Sequence, residues 1–427
     1  MVVNRRAKDT GFRAVLFDTK TGISVGGEVP MLSPSWGLRL NQAGTVSISI
    51  PVRAKEARGM DLRNSTATLR QGLGMTYNGV PLEAGPILDR EFDDESGQLT
   101  LTAAGLWSVF ARRKAVTGAM LAALTSAGVT TKTLKIGPTS LQSIARELVR
   151  VSIQDNPFTG AGALNVVLPP VVAGAETKTY TGYDLKWIGD ALKDLTELEN
   201  GPDLRFRPRF MTDQPTRLEW VLETGNESQP LLTQPGPALR LDGTVPDSPV
   251  AGFGSKEDAT NVGARAWRPG AGQERDMRLG FATSTRLTDT GMPWTEIENA
   301  SKEEESTAVL NRQAAYDVRN AAGPEVQFTV RLRANHPGAM LGTYWPGDFA
   351  DVVIPEDHPT LNPGLQRVRI MAIDGSDART VNLTVAPFIG SYDGPVTPAG
   401  DYQRRGGTPP LTTSPQLATD DDLTPAI

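Results

Sequence analysis

The sequence contains no cysteine and only two histidines. The lack of cysteine excludes disulfides, thiolate metal ligands and cysteine nucleophiles. Two histidines are a poor supply for a zinc site or a histidine-based catalytic triad. His336 and His358 each precede a proline, so we expect them to be turn residues. We therefore predict no metal site and no cofactor.

Long hydrophobic runs are also missing. No stretch approaches the roughly 18 apolar residues of a membrane-spanning helix, and the segment MVVNRRAKDTGF lacks the apolar core of a signal peptide. We therefore expect no stable membrane insertion, and folding in a cytoplasm. The formal net charge of −6 argues against tight binding to a nucleic-acid backbone, because proteins that bind it carry a basic excess.

Glycine and proline are abundant, with 43 and 32 residues, and they predict many turns and short strands. In the segment TVSISIP, Val46, Ile48 and Ile50 alternate with serines, which is the pattern of a strand with one buried face. Similar segments recur at even spacing early in the chain. They predict strands over 12–18, 36–40, 45–51, 67–70, 86–93 and 98–103.

The middle of the chain changes to helical patterns. Thr139 and Gln142 have the spacing of a capping box, and the apolar residues after them recur at helical intervals, so we predict a helix over 140–152. Apolar residues from Leu185 to Leu198 share one side of a second helix, and a third helix is predicted over 301–322. Clear strand patterns then follow at 326–332, 349–354, 366–374 and 380–387.

The second helix carries the strongest candidate for catalysis. Asp190 and Asp194 are one turn apart, so their carboxylates could approach the roughly 5 Å separation found in retaining glycosidases, with Glu197 as a further acid. The same acids also form i,i+4 pairs, Lys186 with Asp190 and Lys193 with Glu197, as on an ordinary charged helix face. We favour the charged face and predict no catalytic residue, because aromatic residues that would hold a sugar are scarce nearby.

The remaining motifs are weaker. The segment GFGSKEDATNVG at 252–263 lacks the third glycine of a dinucleotide-binding loop, and the sequence contains no Gly-x-Ser-x-Gly nucleophile elbow. The acids at 420–422 lack the pattern of a calcium loop. They lie in a stretch rich in proline and glycine over 391–427, which we expect to be extended or disordered until it meets a partner.

Four segments follow one another along the chain: GYDLKWIGDALKDLTELENGPDLRFRP, EEESTAVLNRQAAYDVR, VRLRANHPGAMLGTYWPGDFADVVI and GLQRVRIMAIDGSDARTVNLTVAP. In this order they resemble the minor tail proteins of long-tailed, siphovirus-type phages that infect actinobacteria, which are tail-tip or baseplate hub proteins. The resemblance covers roughly residues 10–390 and rests on the arrangement of the segments.

The resemblance implies a mainly β, α+β fold with two small antiparallel β-barrel-like hub domains at 1–115 and 236–390, the second containing the helix 301–322. It implies an α+β middle domain at 116–235 and a flexible tail at 391–427. The implied function is structural and non-enzymatic: a homotrimeric ring at the tail tip of the virion, assembled in the host cytoplasm.

Such a ring would adapt a sixfold tail tube to a threefold tip and would guide or close the DNA channel. The implied partners are the distal tail ring, the tail tube, the tape measure and tip or fibre proteins. DNA would pass through without sequence-specific binding.

Two other functions stay open at this point. The carboxylates of the second helix would suit a cell-wall glycoside hydrolase. Exposed aromatic residues would instead suit a carbohydrate-binding protein that recognises the host surface, and the candidates are Trp267, Trp294, Tyr344 and Trp345. Aromatic residues of this kind are more often core or interface anchors.

Overall fold

The structure is a computed structural model, and it describes residues 11–154, 162–196, 198, 201–289, 291–302, 305–321, 325–376 and 380–387. Strands predominate over helices, and the prediction of a mainly β, α+β fold is confirmed. Among these residues, no helix combines the length and the apolar character needed to cross a membrane. The predicted tail at 391–427 lies outside the described residues.

The chain divides into two compact units. Unit 1 takes the residues up to Leu239 together with Arg331–Phe349 and Ile370–Leu383, and unit 2 takes Arg240–Val330, Ala350–Arg369 and the residues from Thr384 onwards. The chain therefore passes between the two units several times. The domain boundaries at 115, 235 and 390 stay predictions.

Unit 1 contains most of the strands. In chain order these are β1 Phe12–Asp18, β2 Leu32–Arg39, β3 Thr45–Pro51, β4 Gln71–Tyr77, β5 Val80–Asp93, β6 Gln98–Ala104, β7 Thr133–Thr139, β8 Val166–Val167, β9 Glu176–Thr181, β10 Leu204–Phe210 and β11 Leu218–Thr224. The strands that follow along the chain are β12 Leu239–Asp242, β13 Val250–Asp258, β14 Arg265–Pro269, β15 Leu279–Thr283, β16 Glu296–Glu298, β17 Glu325–Arg333, β18 Phe349–Ile354, β19 Gly364–Gly375 and β20 Thr380–Pro387. The second half of β19, from Ile370, belongs to unit 1.

The main sheet of unit 1 is antiparallel, with the order β1-β4-β5-β6-β3-β2-β19. The alternation predicted for β3 is confirmed. Val46, Ile48 and Ile50 are buried, whereas Ser49 lies on the other face and its hydroxyl is 3.1 Å from that of Thr100 on β6. Among the described residues the sheets have open strand orders and do not close into barrels.

One predicted strand is wrong. Residues 67–70 form a turn, with Leu69 exposed and at a φ of 62°, and the strand β4 begins only after them. Its sequence, QGLGMTY, contains two glycines that look like turn residues. Gly72 is required there by packing, since a Cβ at this position would lie 2.3 Å from the ring of Phe17.

The helices of unit 1 are α1 Leu62–Ser65, α2 Trp107–Phe110, α3 Gly118–Ala127, α4 Leu141–Gln154 and α5 Ile188–Thr196, and those of unit 2 are α6 Arg286–Asp289 and α7 Thr307–Asn320. Helix α4 confirms the helix predicted over 140–152, but its cap differs. The Ser140 hydroxyl accepts from the backbone N–H of Ser143 at 3.3 Å, and the Thr139 hydroxyl instead donates to the carbonyl of Val172. Helix α7 is shorter than the predicted 301–322.

The core of unit 1 lies between α2, α4, α5 and the hairpin β10–β11. Its largest member is Trp220, which is fully buried and donates its indole N–H to the carbonyl of Ala84 at 3.0 Å. The ring of Phe17 packs edge-on against Trp220, and Phe110 stacks on Phe206. These contacts join the middle helices to the hairpin in a single core.

Unit 2 contains a small sheet with the order β15-β14-β16. Strand β14 pairs antiparallel with β15 and parallel with β16, and α7 packs on one side of this sheet through Ala314 and Val318, which contact Ala266 and Ala282. Elsewhere β17 lies between β13 and β20, and β18 pairs with β12 and β19.

Candidate functional site

The acids predicted as a catalytic pair lie on the outer face of α5. Ile188, Ala191, Leu192 and Leu195 point into the core, as the helical pattern predicts, and Asp190 and Asp194 are exposed. Leu185 and Leu198, which were expected on the apolar side, are also exposed. Leu185 precedes the helix and has a φ of 49°, so the helical pattern does not extend to it.

The charge pair of Lys186 differs from the prediction, and the pair of Lys193 with Glu197 stays a prediction. The Lys186 ammonium lies 2.7 Å from the carboxylate of Asp194, not beside Asp190, because Lys186 precedes the first helical residue. Burial raises the pKa of Tyr180 to about 12, and the charge of Asp194 adds to this. Glu197 lies outside the described residues. Asp194 is therefore part of an ion pair on the exposed face of α5.

The histidines are turn residues, as predicted. The Nδ1 atom of His336 accepts from the N–H of Gly338 at 3.1 Å, and that of His358 accepts from the N–H of Leu361 at 3.0 Å. Among the described residues, no group of three or more histidine, aspartate or glutamate side chains is arranged to hold a metal ion.

Trp345, one of the aromatic candidates, lines a cleft of about 800 Å³ in unit 1. Arg205 and Arg207 both lie over its ring, each 5.7 Å from the ring centroid. The neighbouring Tyr344 is buried, so it cannot contact a ligand at the surface. Burial raises the pKa of Tyr344.

The two arginines of the cleft are placed by strand alternation. On β10 the side chains of Leu204 and Phe206 enter the core, so Arg205 and Arg207 point to the opposite face. Glu223 on β11 binds both of them, with 2.6 Å from each carboxylate oxygen to a guanidinium nitrogen. The carboxylate of Glu223 thus offsets the charges of both arginines. The two guanidinium groups pack on the indole ring of Trp345 and do not form an open site for an anion.

A second carboxylate lies deep in unit 1 on β5. Glu83 is buried, and its carboxyl group packs so closely on Gly44 and Gly105 that a Cβ on either glycine would lie within 3.0 Å of it. The backbone N–H of Ala84 donates to Glu83 Oε1 at 2.9 Å. Burial raises the pKa of Glu83 to about 8, against smaller opposing effects of this hydrogen bond and of Arg39. Sequence reasoning missed this residue, although an acid inside the apolar run VPLEAGPIL was a signal for it.

Trp267 and Trp294, the other aromatic candidates, come together in unit 2. They join Phe281 on the side of the small sheet that faces away from α7, and the three rings form what we call the aromatic face. The register pairs Trp267 with Phe281, and their ring centroids lie 5.2 Å apart. Sequence reasoning missed Phe281, because its neighbour is set by strand pairing and not by spacing along the chain.

Arg265 lies at the centre of the aromatic face. Its guanidinium carbon is 5.4 Å from the ring centroid of Trp267, 5.8 Å from that of Phe281 and 5.0 Å from that of Trp294. Its Nη1 atom lies 3.4 Å from a carboxylate oxygen of Glu296, which also accepts from the indole N–H of Trp294 at 3.2 Å. The arginine therefore orients all three rings through cation–π contacts.

Comparison with protein-family models and with curated proteins finds no match to this sequence. Solved structures do match. The 43 kDa tail protein of prophage MuSo2 from Shewanella oneidensis has a TM-score of 0.51 at 11% identity, over 88% of this chain and 98% of its own. A tail protein from Neisseria meningitidis MC58 has a TM-score of 0.50 at 13% identity, over 93% of this chain and 99% of its own. The chain shares their fold.

Proposed function

We propose that the chain is a structural protein of a phage tail tip, a baseplate hub that forms a homotrimeric ring. The observation that carries this proposal is the fold shared with two tail proteins along nearly their whole length. The order of the four sequence segments supports a siphovirus-type phage of actinobacteria as the source. The protein is then a virion component that assembles in the host cytoplasm.

In the proposed ring each chain supplies two strand-rich regions, so three chains present six of them. A sixfold tail tube can then meet a threefold tip through closed, pseudo-equivalent contacts. The ring guides or closes the DNA channel, and its neighbours are the distal tail ring, the tail tube, the tape measure and tip or fibre proteins. A net charge of −6 suits such a channel, because acidic walls repel phosphate.

The mass of the purified chain tests the ring. Native mass spectrometry at several protein concentrations should give three copies of the 45.8 kDa chain, and antibodies to the chain should label the tail tip of purified virions. A chain that stays monomeric at all concentrations and is absent from virions would contradict the proposal.

A separate assay tests the non-enzymatic role. Purified host cell wall is incubated with the wild type and with the double variant Asp190→Asn, Asp194→Asn, and released reducing sugar is measured. We expect none from either protein, because the carboxylate of Asp194 is paired with Lys186 and both acids lie on an exposed helix face rather than in a cleft that could hold a sugar chain. Release by the wild type that the double variant loses would establish the hydrolase instead.

A further inference from the structure

The aromatic face has no role in the core of unit 2. The opposite side of the small sheet is already covered by α7, which contributes Leu310, Ala314 and Val318. Trp294 is 46% exposed. Trp267 and Phe281 beside it are half-buried. Leaving the open part of this aromatic surface in water costs free energy at about 25 cal/mol per Å², so three clustered rings that are partly open to solvent indicate a binding surface.

Polar groups surround the rings in a regular arrangement. Glu296 and Glu298 on β16 lie beside Arg265 and Trp267 on β14 in the parallel register, and the hydroxyl of Thr283 on β15 accepts from Arg265 Nε at 3.1 Å. Planar carboxylate and guanidinium groups each offer two adjacent acceptors or donors. Adjacent hydroxyls on a sugar ring have the matching spacing.

The face by itself is too small for a stable contact with a protein. Strands of five, five and three residues present a flat side on the order of 200 Å², whereas a stable protein interface needs about 800 Å² from each partner. The charges exclude a polyanion, because Glu296 and Glu298 outnumber Arg265 on this face. A flat side of this area matches a few sugar rings.

We propose that the aromatic face binds a neutral polysaccharide of pyranose units. The apolar C–H face of a pyranose stacks on an aromatic ring, since its weakly positive hydrogens meet the negative face of the π system, and the hydroxyls at its edge bond to Glu296, Glu298 and Arg265. Arg265 holds the rings in place before the ligand arrives, which lowers the entropy cost of binding. This site is additional to the hub function and does not depend on it.

Calorimetric titration of the full chain tests the site. The probes are two neutral hexamers, one of β-1,4-linked glucose and one of β-1,4-linked N-acetylglucosamine. We expect saturable binding of at least one hexamer by the wild type, and a loss of about tenfold in affinity in Trp294→Ala, because removing an aromatic anchor costs at least about 1.4 kcal/mol. Glu298→Gln should lower the affinity for the same hexamer by a smaller factor.

The matched control is Trp187→Ala, which removes an indole of similar exposure, 39%, from unit 1. It should bind the hexamer as the wild type does. Equal binding by Trp294→Ala, or no saturation with either hexamer up to millimolar concentration, overturns the proposal. The proposal is also overturned if Trp294→Ala assembles into fewer copies per particle than the wild type, because the aromatic face would then be an interface between chains. A monomeric chain that binds a hexamer contradicts the hub and leaves this proposal standing.

Discussion

Glu83 keeps its proton well above the pH at which an exposed glutamate loses it, because its carboxyl group is buried against Gly44 and Gly105 in unit 1. Its pKa of about 8 in the folded chain lies above the ordinary glutamate value of 4.5. The folded chain therefore binds this proton more tightly than the unfolded chain. The resulting stability is complete below the unfolded pKa and is lost as the pH rises from about 4.5 to about 8.

Glu83→Gln should remove this pH dependence. Between the two pKa values the free energy of unfolding of the wild type falls by up to about 1.4 kcal/mol per pH unit from this group, and the neutral amide has no such loss. Urea midpoints measured at pH 5 and pH 8.5 should show the variant gaining stability relative to the wild type at the higher pH. Glu91→Gln, at an exposed position of the same strand, is the control. The same change in urea midpoint between the two pH values for the wild type and Glu83→Gln would contradict a raised pKa of Glu83.

Single residues also show where sequence spacing fails. Lys186 and Asp190 are four residues apart and were predicted to pair, but Leu185 at positive φ places Lys186 outside the helix, and it reaches Asp194 instead. Positive φ at a leucine is rare and leaves no mark in the sequence. The exposure of both acids, by contrast, follows from the helical pattern and was predicted.

At the scale of elements, the contact between α7 and the small sheet depends on Gly280. A Cβ at this position would lie 2.4 Å from the Cβ of Leu310 and 2.6 Å from its backbone carbonyl carbon. The helix backbone approaches the strand here because the strand has no side chain.

Gly280→Ala should therefore displace α7 and destabilise unit 2 by about 1–3 kcal/mol, the usual effect of overpacking. Hydrogen exchange followed by mass spectrometry should show faster exchange in α7. The control is Gly252→Ala in β13, another strand glycine of unit 2, where a Cβ meets nothing within 4 Å and little change is expected. Unchanged protection of α7 in Gly280→Ala would show that the contact is looser than described.

Elements with a clear hydrophobic period were predictable, and those without one were not. Strand β3 and helix α4 follow alternating and helical patterns that decide which face is buried. Helix α3, GAMLAALTSA, was missed, because apolar residues occur all around it and only Met120 is buried. The aromatic face was predicted only as separate tryptophans, since the pairing of β14 with β15 brings in Phe281.

At the scale of the whole molecule, the acidic balance predicts weak affinity for DNA. With a net charge of −6 the chain releases few counterions from a duplex, and nonspecific binding depends on that release. The purified protein should not retard a double-stranded DNA fragment in a gel at low salt. A basic protein that does retard the fragment is the positive control. Retardation that disappears as salt is raised would reveal a basic patch and would contradict the proposed non-adhesive channel.

The division of the chain into units also constrains how the protein is made. Ala372 on β19 pairs with Arg39 on β2, so the main sheet of unit 1 needs a strand that leaves the ribosome hundreds of residues after its neighbour. Until that strand arrives, the edge of β2 is open to pairing with other chains. Unit 1 therefore cannot finish folding vectorially during synthesis, and a stop codon before Ile370 would leave both units incomplete.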